Sequence, residues 1–408
     1  MSGPHRSLRR DVIVVGAGPA GASVAALLAL QGRDVLVLDR ARFPRDKTCG
    51  EAVSPRAWPV LETIGAAPWI RAEGPHPLRG MILTSSDGTR FAGRYPQEQL
   101  PGFALRRLVL DAALVRAARA RGACVHEGVR VTGLLREEGR AAGVEAVGPD
   151  GEPLRIEARV VVGADGRQSV VARDLRLRRS HRMRRFAVRG HWDGMQGLVD
   201  SGEMHVVPGG YCGIAPLSAT LANVAFVLDR REMGTAAGDV RGFYLQELQA
   251  RFPRVAERLA GARLVEPPRA IGPLAVTARG VSAPGAVLVG DAAGFYDPFT
   301  GEGVTLALRS AELAAEAIDV ALATAPGHAG ADRALLGYAR ARHDATKDKF
   351  RFNRLLQVAV GWPDAGNVVA RQLARRPDLA DRLVGIAGDF VPARDTLGPR
   401  LLWDLLRP

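Results

Sequence analysis

The chain has 408 residues, 47% of them apolar and 24% charged, with a formal net charge of +13; its length exceeds an ordinary single domain, and its composition excludes fibrous and disordered classes. The positive charge sits on arginines scattered without aromatic interleaving, beside only three lysines, Lys47, Lys347 and Lys349. No nucleic-acid partner is therefore expected, whereas a basic surface suits an anionic cofactor, a carrier protein or a peripheral membrane contact. Three widely spaced cysteines, Cys49, Cys124 and Cys212, support neither a disulfide framework nor a zinc site and point to a reducing cytoplasm.

In chain order, residues 11 to 39 read as strand, tight turn, helix, strand: DVIVV, GAGPAG, ASVAALLALQG, DVLVLD. The flanking runs are short and rich in valine, as in strands buried on both faces of a parallel sheet, and the middle run has helical spacing that stops at Gly32. Residues 50 to 67 are predicted helical. From 75 to 100 proline and glycine rise, and Asp87-Gly88 signals a hairpin. Helix returns over 106 to 122, then RIEARVVVGADG reads as a strand that breaks at a turn. Residues 181 to 265 combine strand-like alternation with one helix around 240 to 260. The segment from Gly285 onward reads strand, loop, long helix, and the Arg- and Ala-rich remainder from about 320 is predicted largely helical.

Within GAGPAG, Gly16 permits a sharp turn, Gly18 admits a pyrophosphate close to the backbone, and Gly21 lets the helix lie on the strand, with Pro19 and Ala20 in its first turn. Asp39 ends the second strand eighteen residues after Gly21, where a carboxylate accepts ribose hydroxyls and disfavours a 2′-phosphate. The nucleotide is thus FAD or NAD, and Arg40 follows beside it.

Three segments together, GAGPAG with Asp39, GADGRQS at 163–169 and GDAAGFYDPFTGEG at 290–303, resemble the fingerprints of the flavoprotein superfamily that contains p-hydroxybenzoate hydroxylase and geranylgeranyl reductase. The resemblance implies FAD. It places Asp291, after Gly290, beside the ribityl chain. It also directs the backbone of Pro298, Gly301, Glu302 and Gly303 at the flavin pyrimidine edge, where a helix N-terminus stabilises charge developed on reduction. Asp165 resembles the aspartate near the pyrophosphate, and Arg107 the arginine that reaches FAD from its helix. FPRDKTCGEAVSP at 43–55 resembles the geranylgeranyl reductase branch, which implies that Cys49 and Gly50 lie along the flavin and that Lys47 faces an anionic group. Prenyl reductases carry a Tyr-x-Trp-x-Phe-Pro stretch where this chain has GYCGIAPL, 210–217, which keeps Tyr211 and Pro216 without the tryptophan.

The fold expected is α/β: an FAD/NAD(P)-binding Rossmann-like domain with an inserted β-rich substrate domain and a helical C-terminal tail. Its boundaries are 1–74, 106–180 and 268–320 for the cofactor domain, 75–105 and 181–267 for the substrate parts, and 321–408 for the tail. The function expected is an NAD(P)H-dependent hydroxylase (monooxygenase) of a lipophilic, aromatic or polyketide-like small molecule, a choice that follows from the missing tryptophan. A geranylgeranyl-reductase-like reductase of a carbon–carbon double bond is the alternative, and a flavin-dependent cyclase or isomerase belongs to a third class. NAD(P)H is expected only as a transient reductant, since no second glycine fingerprint occurs, and no metal is expected. Candidate catalytic side chains are Cys49, Lys47 and Tyr211.

Overall fold

The computed structural model describes residues 9–96, 100–179, 184–235, 238–324 and 328–388. Strand Arg10–Val15 runs into helix Pro19–Leu30 and then strand Val35–Asp39. The two strands are parallel neighbours, Val12 opposite Val35 and Val15 opposite Leu38. Both faces of this sheet are covered, so every residue from Val12 to Val15 and from Val35 to Leu38 is buried, and the sequence has no polar alternation there. Pro19 sits in the first turn of the helix, where its missing N–H costs nothing.

This first sheet has eight strands. Its path runs Ser282–Ala283, Ala286–Leu288, Pro153–Gly163, Arg10–Val15, Val35–Asp39 and Cys124–Glu127, and the hairpin Arg130–Glu137 with Arg140–Val147 joins the leading half of Pro153–Gly163. The five strands from Ala286–Leu288 to Cys124–Glu127 are parallel. Their carboxyl ends therefore share one edge, and open sheets of this kind bind ligands outside that edge. Helix Pro19–Leu30 lies against helices Arg107–Ala120 and Gly303–Ala323.

A second eight-stranded sheet contains Arg185–Asp193, Leu221–Asp229, Gly210–Pro216 and Gly202–Val207, and Gly80–Thr84 with Arg90–Arg94 extend it. Alternation divides its two faces. Val188, Trp192, Cys212, Val224 and Phe226 face helices Val240–Arg251 and Pro253–Arg258, among Phe243, Tyr244 and Phe252. Ala187, Arg189, His191, Tyr211, Gly213, Asn223 and Ala225 fall on the opposite face, which looks toward the first sheet. Helices His328–Gly361, Pro363–Arg375 and Pro377–Ala387 follow; Ala370, Leu373, Leu379 and Ala380 from the last two cover Phe91 on the edge strand, which shields it from pairing with another chain. The part of the expected tail beyond residue 388 lies outside the described residues.

Two sequence expectations are corrected. Residues 50–67 are not one helix: Ala52–Val53 is a strand, Pro55–Ala57 a 3-10 turn capped by Ser54, Trp58–Thr63 is α-helical, and a separate helix, Ala67–Ala72, begins at the end of that span. Pro55 holds Ser54 extended, which prevents a helix from starting earlier. The helix expected around 240–260 is two, because Phe252 before Pro253 leaves the helical conformation.

Candidate active site

The turn after the first strand is shaped by steric demand. Gly16 has φ +100°, and a Cβ there would stand 2.6 Å from the carbonyl oxygen of Ala164; a Cβ on Gly21 would overlap the carbonyl of Gly16. Gly18 is different. A Cβ there would meet only the Arg45 guanidinium, at 3.6 Å, so this backbone is open to an incoming group. Asp39 is buried and accepts Ala17 N at 2.7 Å and Ala41 N at 2.8 Å, one on each oxygen. A carboxylate has about four acceptor sites, so capacity for ribose hydroxyls is left.

Outside the strand ends lies a cleft of about 1880 Å³ bordered by Gly16, Asp39, Arg40, Arg45, Lys47 and Asp165. Burial pushes the Asp165 carboxyl up despite bonds from Ser169 and Val170 N. One of its oxygens accepts Val170 N at 2.6 Å; the other is buried and has no partner among the described residues. This orphaned acceptor and the glycine cradle fit a dinucleotide. Burial pulls the Arg167 guanidinium down from its usual value, and Asp291 opposes that. Arg167 and Lys47 line both this cleft and the next, where they suit a diphosphate.

The adjoining cavity, about 1040 Å³, brings together Gly18, Pro19, Ala20, Lys47, Cys49, Arg107, Gly290, Asp291, Pro298, Gly301 and Gly303. Lys47 Nζ stands 3.6 Å from Asp291. Helix Gly303–Ala323 points its N-terminus here, and the turn before it is set by Asp297, which accepts Phe299 N at 3.0 Å, and by Gly301 at φ +70°. Twenty-one aligned peptide units direct positive potential into the cavity. The far wall is mostly apolar, Ala187, Ala225, Ile271 and Leu274, with Arg189 beside Ala225.

Two expected residues, Gly50 and Tyr211, lie outside both clefts; Gly21 has the packing role expected of it, and Glu302 is expected there by its backbone alone. Gly50 is exposed and lines neither cleft, and Gly21 serves the contact between helix and strand. The Glu302 side chain is buried beside Lys349, turned toward a smaller neighbouring cleft. Tyr211 is buried outside the cavity and donates to Asp297 at 2.5 Å; burial, then the Asp297 charge, pushes its hydroxyl well above the ordinary value. Arg107 does line the cavity, but its guanidinium is held by both oxygens of Asp111, at 2.7 and 2.8 Å. Burial opposes its charge, and Asp111 with the Cys49 sulfur outweighs that, raising its pKa. Asp111 also takes Arg45 at 2.8 Å.

Sequence reasoning missed a buried ionic network at the junction of the two sheets. Glu51, at φ +63° and 1% exposed, accepts Arg107 N at 2.9 Å, His191 Nε2 at 2.7 Å and Asn223 Nδ2 at 2.9 Å. The other side of the His191 ring meets Glu266, which Arg189 and Arg106 join at 3.1 and 2.8 Å. Burial opposes ionisation of Glu266, but bonds from His191 and Arg189 hold its carboxyl below the usual range. Arg189 also pairs with Asp46. Asn223 Nδ2 donates to the Cys49 carbonyl at 2.8 Å as well, so the network fixes the segment that presents Cys49 to the cavity. A faint signal was legible: Arg189 and His191 alternate with Val188 and Trp192, placing polar groups on one face of a strand whose other face is apolar.

Fold and site define an FAD-dependent oxidoreductase. The chain belongs to the FAD binding domain family, whose model matches residues 9–353. It is 33% identical over 327 residues to menaquinone reductase of Mycobacterium tuberculosis, covering 76% of each chain. It is 32% identical over 316 residues to digeranylgeranylglycerophospholipid reductase 1 of Methanopyrus kandleri, covering 75% of this chain and 79% of that one. Among solved structures, a geranylgeranyl bacteriochlorophyll reductase-like protein of Thermoplasma acidophilum superposes with a TM-score of 0.73 at 20% identity, over 98% of this chain and 96% of that one, a likeness of fold. Among the described residues no helix is long and apolar enough to cross a membrane, and no group of His, Cys, Asp or Glu could hold a metal.

Proposed function

We propose that the protein is an FAD-dependent reductase that saturates a carbon–carbon double bond in a lipophilic, isoprenoid-type substrate, with NAD(P)H as the transient reductant. The observation that carries this reading is the Lys47–Glu51 segment, braced from beneath by Glu51 and Asn223 so that Cys49 faces an alanine- and leucine-lined wall across one cavity. Such a wall accommodates a hydrocarbon beside the one guanidinium, Arg189, that it carries, and that group is already engaged by Asp46 and Glu266. The curated relatives described above are named reductases, which supports the same reading.

The missing tryptophan, the ground for expecting hydroxylation, has a steric meaning. Gly213 occupies that place in register with Ala225, on the face that looks toward the cavity. Glycine leaves more room on that face than a tryptophan would and removes no charged or nucleophilic group. A broader hydrophobic head is therefore admitted alongside an isoprenoid chain.

Bound FAD would supply two-electron hydride chemistry. Gly16, Gly18, Asp39 and Asp165 would hold its nucleotide half, Arg167 and Lys47 its phosphates, and Asp291 its ribityl chain. The N-terminus of helix Gly303–Ala323 would stabilise the negative charge of the reduced state. The overall change is balanced: NAD(P)H, one proton and the double bond yield NAD(P)+ and the saturated bond. The test is anaerobic incubation of the holoenzyme with NADPH and an isoprenoid lipid bearing a quinone or phospholipid head, followed by mass spectrometry. Gain of two hydrogens without oxygen supports the reading. Turnover that requires oxygen and adds an oxygen atom, or product of unchanged mass, contradicts it.

A further inference from the structure

Beyond the Gly294–Tyr296 segment lies another cleft, about 1240 Å³, between strand Val276–Ala278 and one side of helix His328–Gly361. Arg279, Arg342, His343, Lys347, Arg351 and Arg354 line it, and no carboxylate does. Positions 343, 347, 351 and 354 recur at three- and four-residue intervals, so they form one stripe along the helix. Lys347 and Arg351 are partly neutralised by Asp344 and Asp348 on the same helix, at 2.7 and 3.4 Å. Arg279, Arg342 and Arg354 have no carboxylate partner among the described residues, and the Arg342 Nε is buried without an acceptor. Like charges gathered in a concave surface repel one another and focus positive potential there.

This cleft neighbours the cofactor site. It shares Gly294, Phe295, Tyr296, Arg342, Thr346 and Phe350 with the smaller cleft already noted. That cleft in turn shares Gly290, Asp291, Phe295, Gly303 and Ala307 with the cavity assigned to the flavin. An anion seated on the arginines can thus extend a flat ring along half-buried Phe295 and Tyr296 toward Asp291.

We propose that the cleft seats the phosphates of the nicotinamide reductant, and that it selects NADPH over NADH through Arg279, Arg342 and Arg354. A 2′-phosphate adds roughly two negative charges at neutral pH, which the unpaired guanidinium groups meet as bidentate donors. The proposal rests on the reading of the chain as a nicotinamide-reduced flavoenzyme, and it adds where that nucleotide binds.

The experiment is calorimetric titration of the FAD-loaded protein with 2′,5′-ADP and with 5′-AMP, for wild type, the double variant Arg342→Gln/Arg354→Gln and the single variant Arg279→Gln, which lies on a different element. The wild type is expected to bind 2′,5′-ADP more tightly than 5′-AMP and to weaken with salt. The double variant is expected to lose at least about tenfold in affinity with FAD content unchanged. Equal 2′,5′-ADP affinity in all three proteins overturns the site. So does a variant that releases anionic phospholipid vesicles yet keeps its 2′,5′-ADP affinity, which would make the cleft a headgroup site. Anaerobic bleaching of the flavin separates the two readings: if NADPH binds through the arginines but leaves the wild-type flavin oxidised, the nicotinamide reading falls and the phosphate site stands.

Discussion

Glu51 shows how one side chain can hold a site together. It sits in the left-handed region, φ +63°, a conformation costing about 1–2 kcal/mol for a residue with a Cβ, and its three hydrogen bonds to Arg107 N, His191 and Asn223 offset that strain. Glu51→Gln turns an amide donor against a donor in this closed environment. The expected loss is about 3 kcal/mol, by analogy with breaking a buried charged pair, and it is read by urea unfolding together with a fall in FAD retention, because the Cys49 carbonyl is held by the same Asn223. A variant within about 0.5 kcal/mol of wild type contradicts the bracing role. The sequence did single out this segment, through Lys47 and Cys49, and both line the cavity. It could not show Glu51 meeting His191, since a contact between residues 140 apart leaves no trace in local periodicity.

At the scale of elements, local patterns were legible wherever burial was one-sided or complete. The valine runs of the first sheet and the glycine turn between them could be read directly, since parallel strands covered on both faces have little other composition open to them. Misreadings fell at Pro55 and Pro253, where a helical composition continues past a residue that forces the chain extended. The second sheet is tied to its covering helices by Glu203, which receives Arg258 at 2.7 and 2.9 Å and His205 at 3.2 Å. Burial raises the Glu203 pKa, but these partners outweigh it and bring it to about 2 from 4.5. A folded pKa below the unfolded one contributes stability that is present above pH 4.5 and lost as pH falls through about 2. The stability gap between wild type and Glu203→Gln should therefore narrow by about 3 kcal/mol from pH 6 to pH 2, measured by denaturant unfolding across that range. A gap independent of pH would mean that the Glu203–Arg258 tie is not an ionic one in solution.

For the whole molecule, the carboxyl edge of the first sheet would hold the nucleotide and the second sheet presents a mostly apolar wall to the adjoining cavity, so the flavin ring would lie where the two meet. Motif order sufficed to read the FAD cradle, because Gly16 and Gly21 each answer a steric demand that no other residue meets. The cavity wall was less legible: that Gly213 stands beside Ala225 across two strands is a matter of register. The most direct test of the central claim is the absorption spectrum of the purified chain, with FAD quantified after unfolding, for wild type and for Gly16→Val. We expect a yellow wild type carrying an equimolar amount of FAD. The valine variant should fold by circular dichroism but fail to retain FAD, since its Cβ would stand 2.6 Å from the Ala164 oxygen. A folded wild-type chain that is colourless and refuses added FAD would contradict the account.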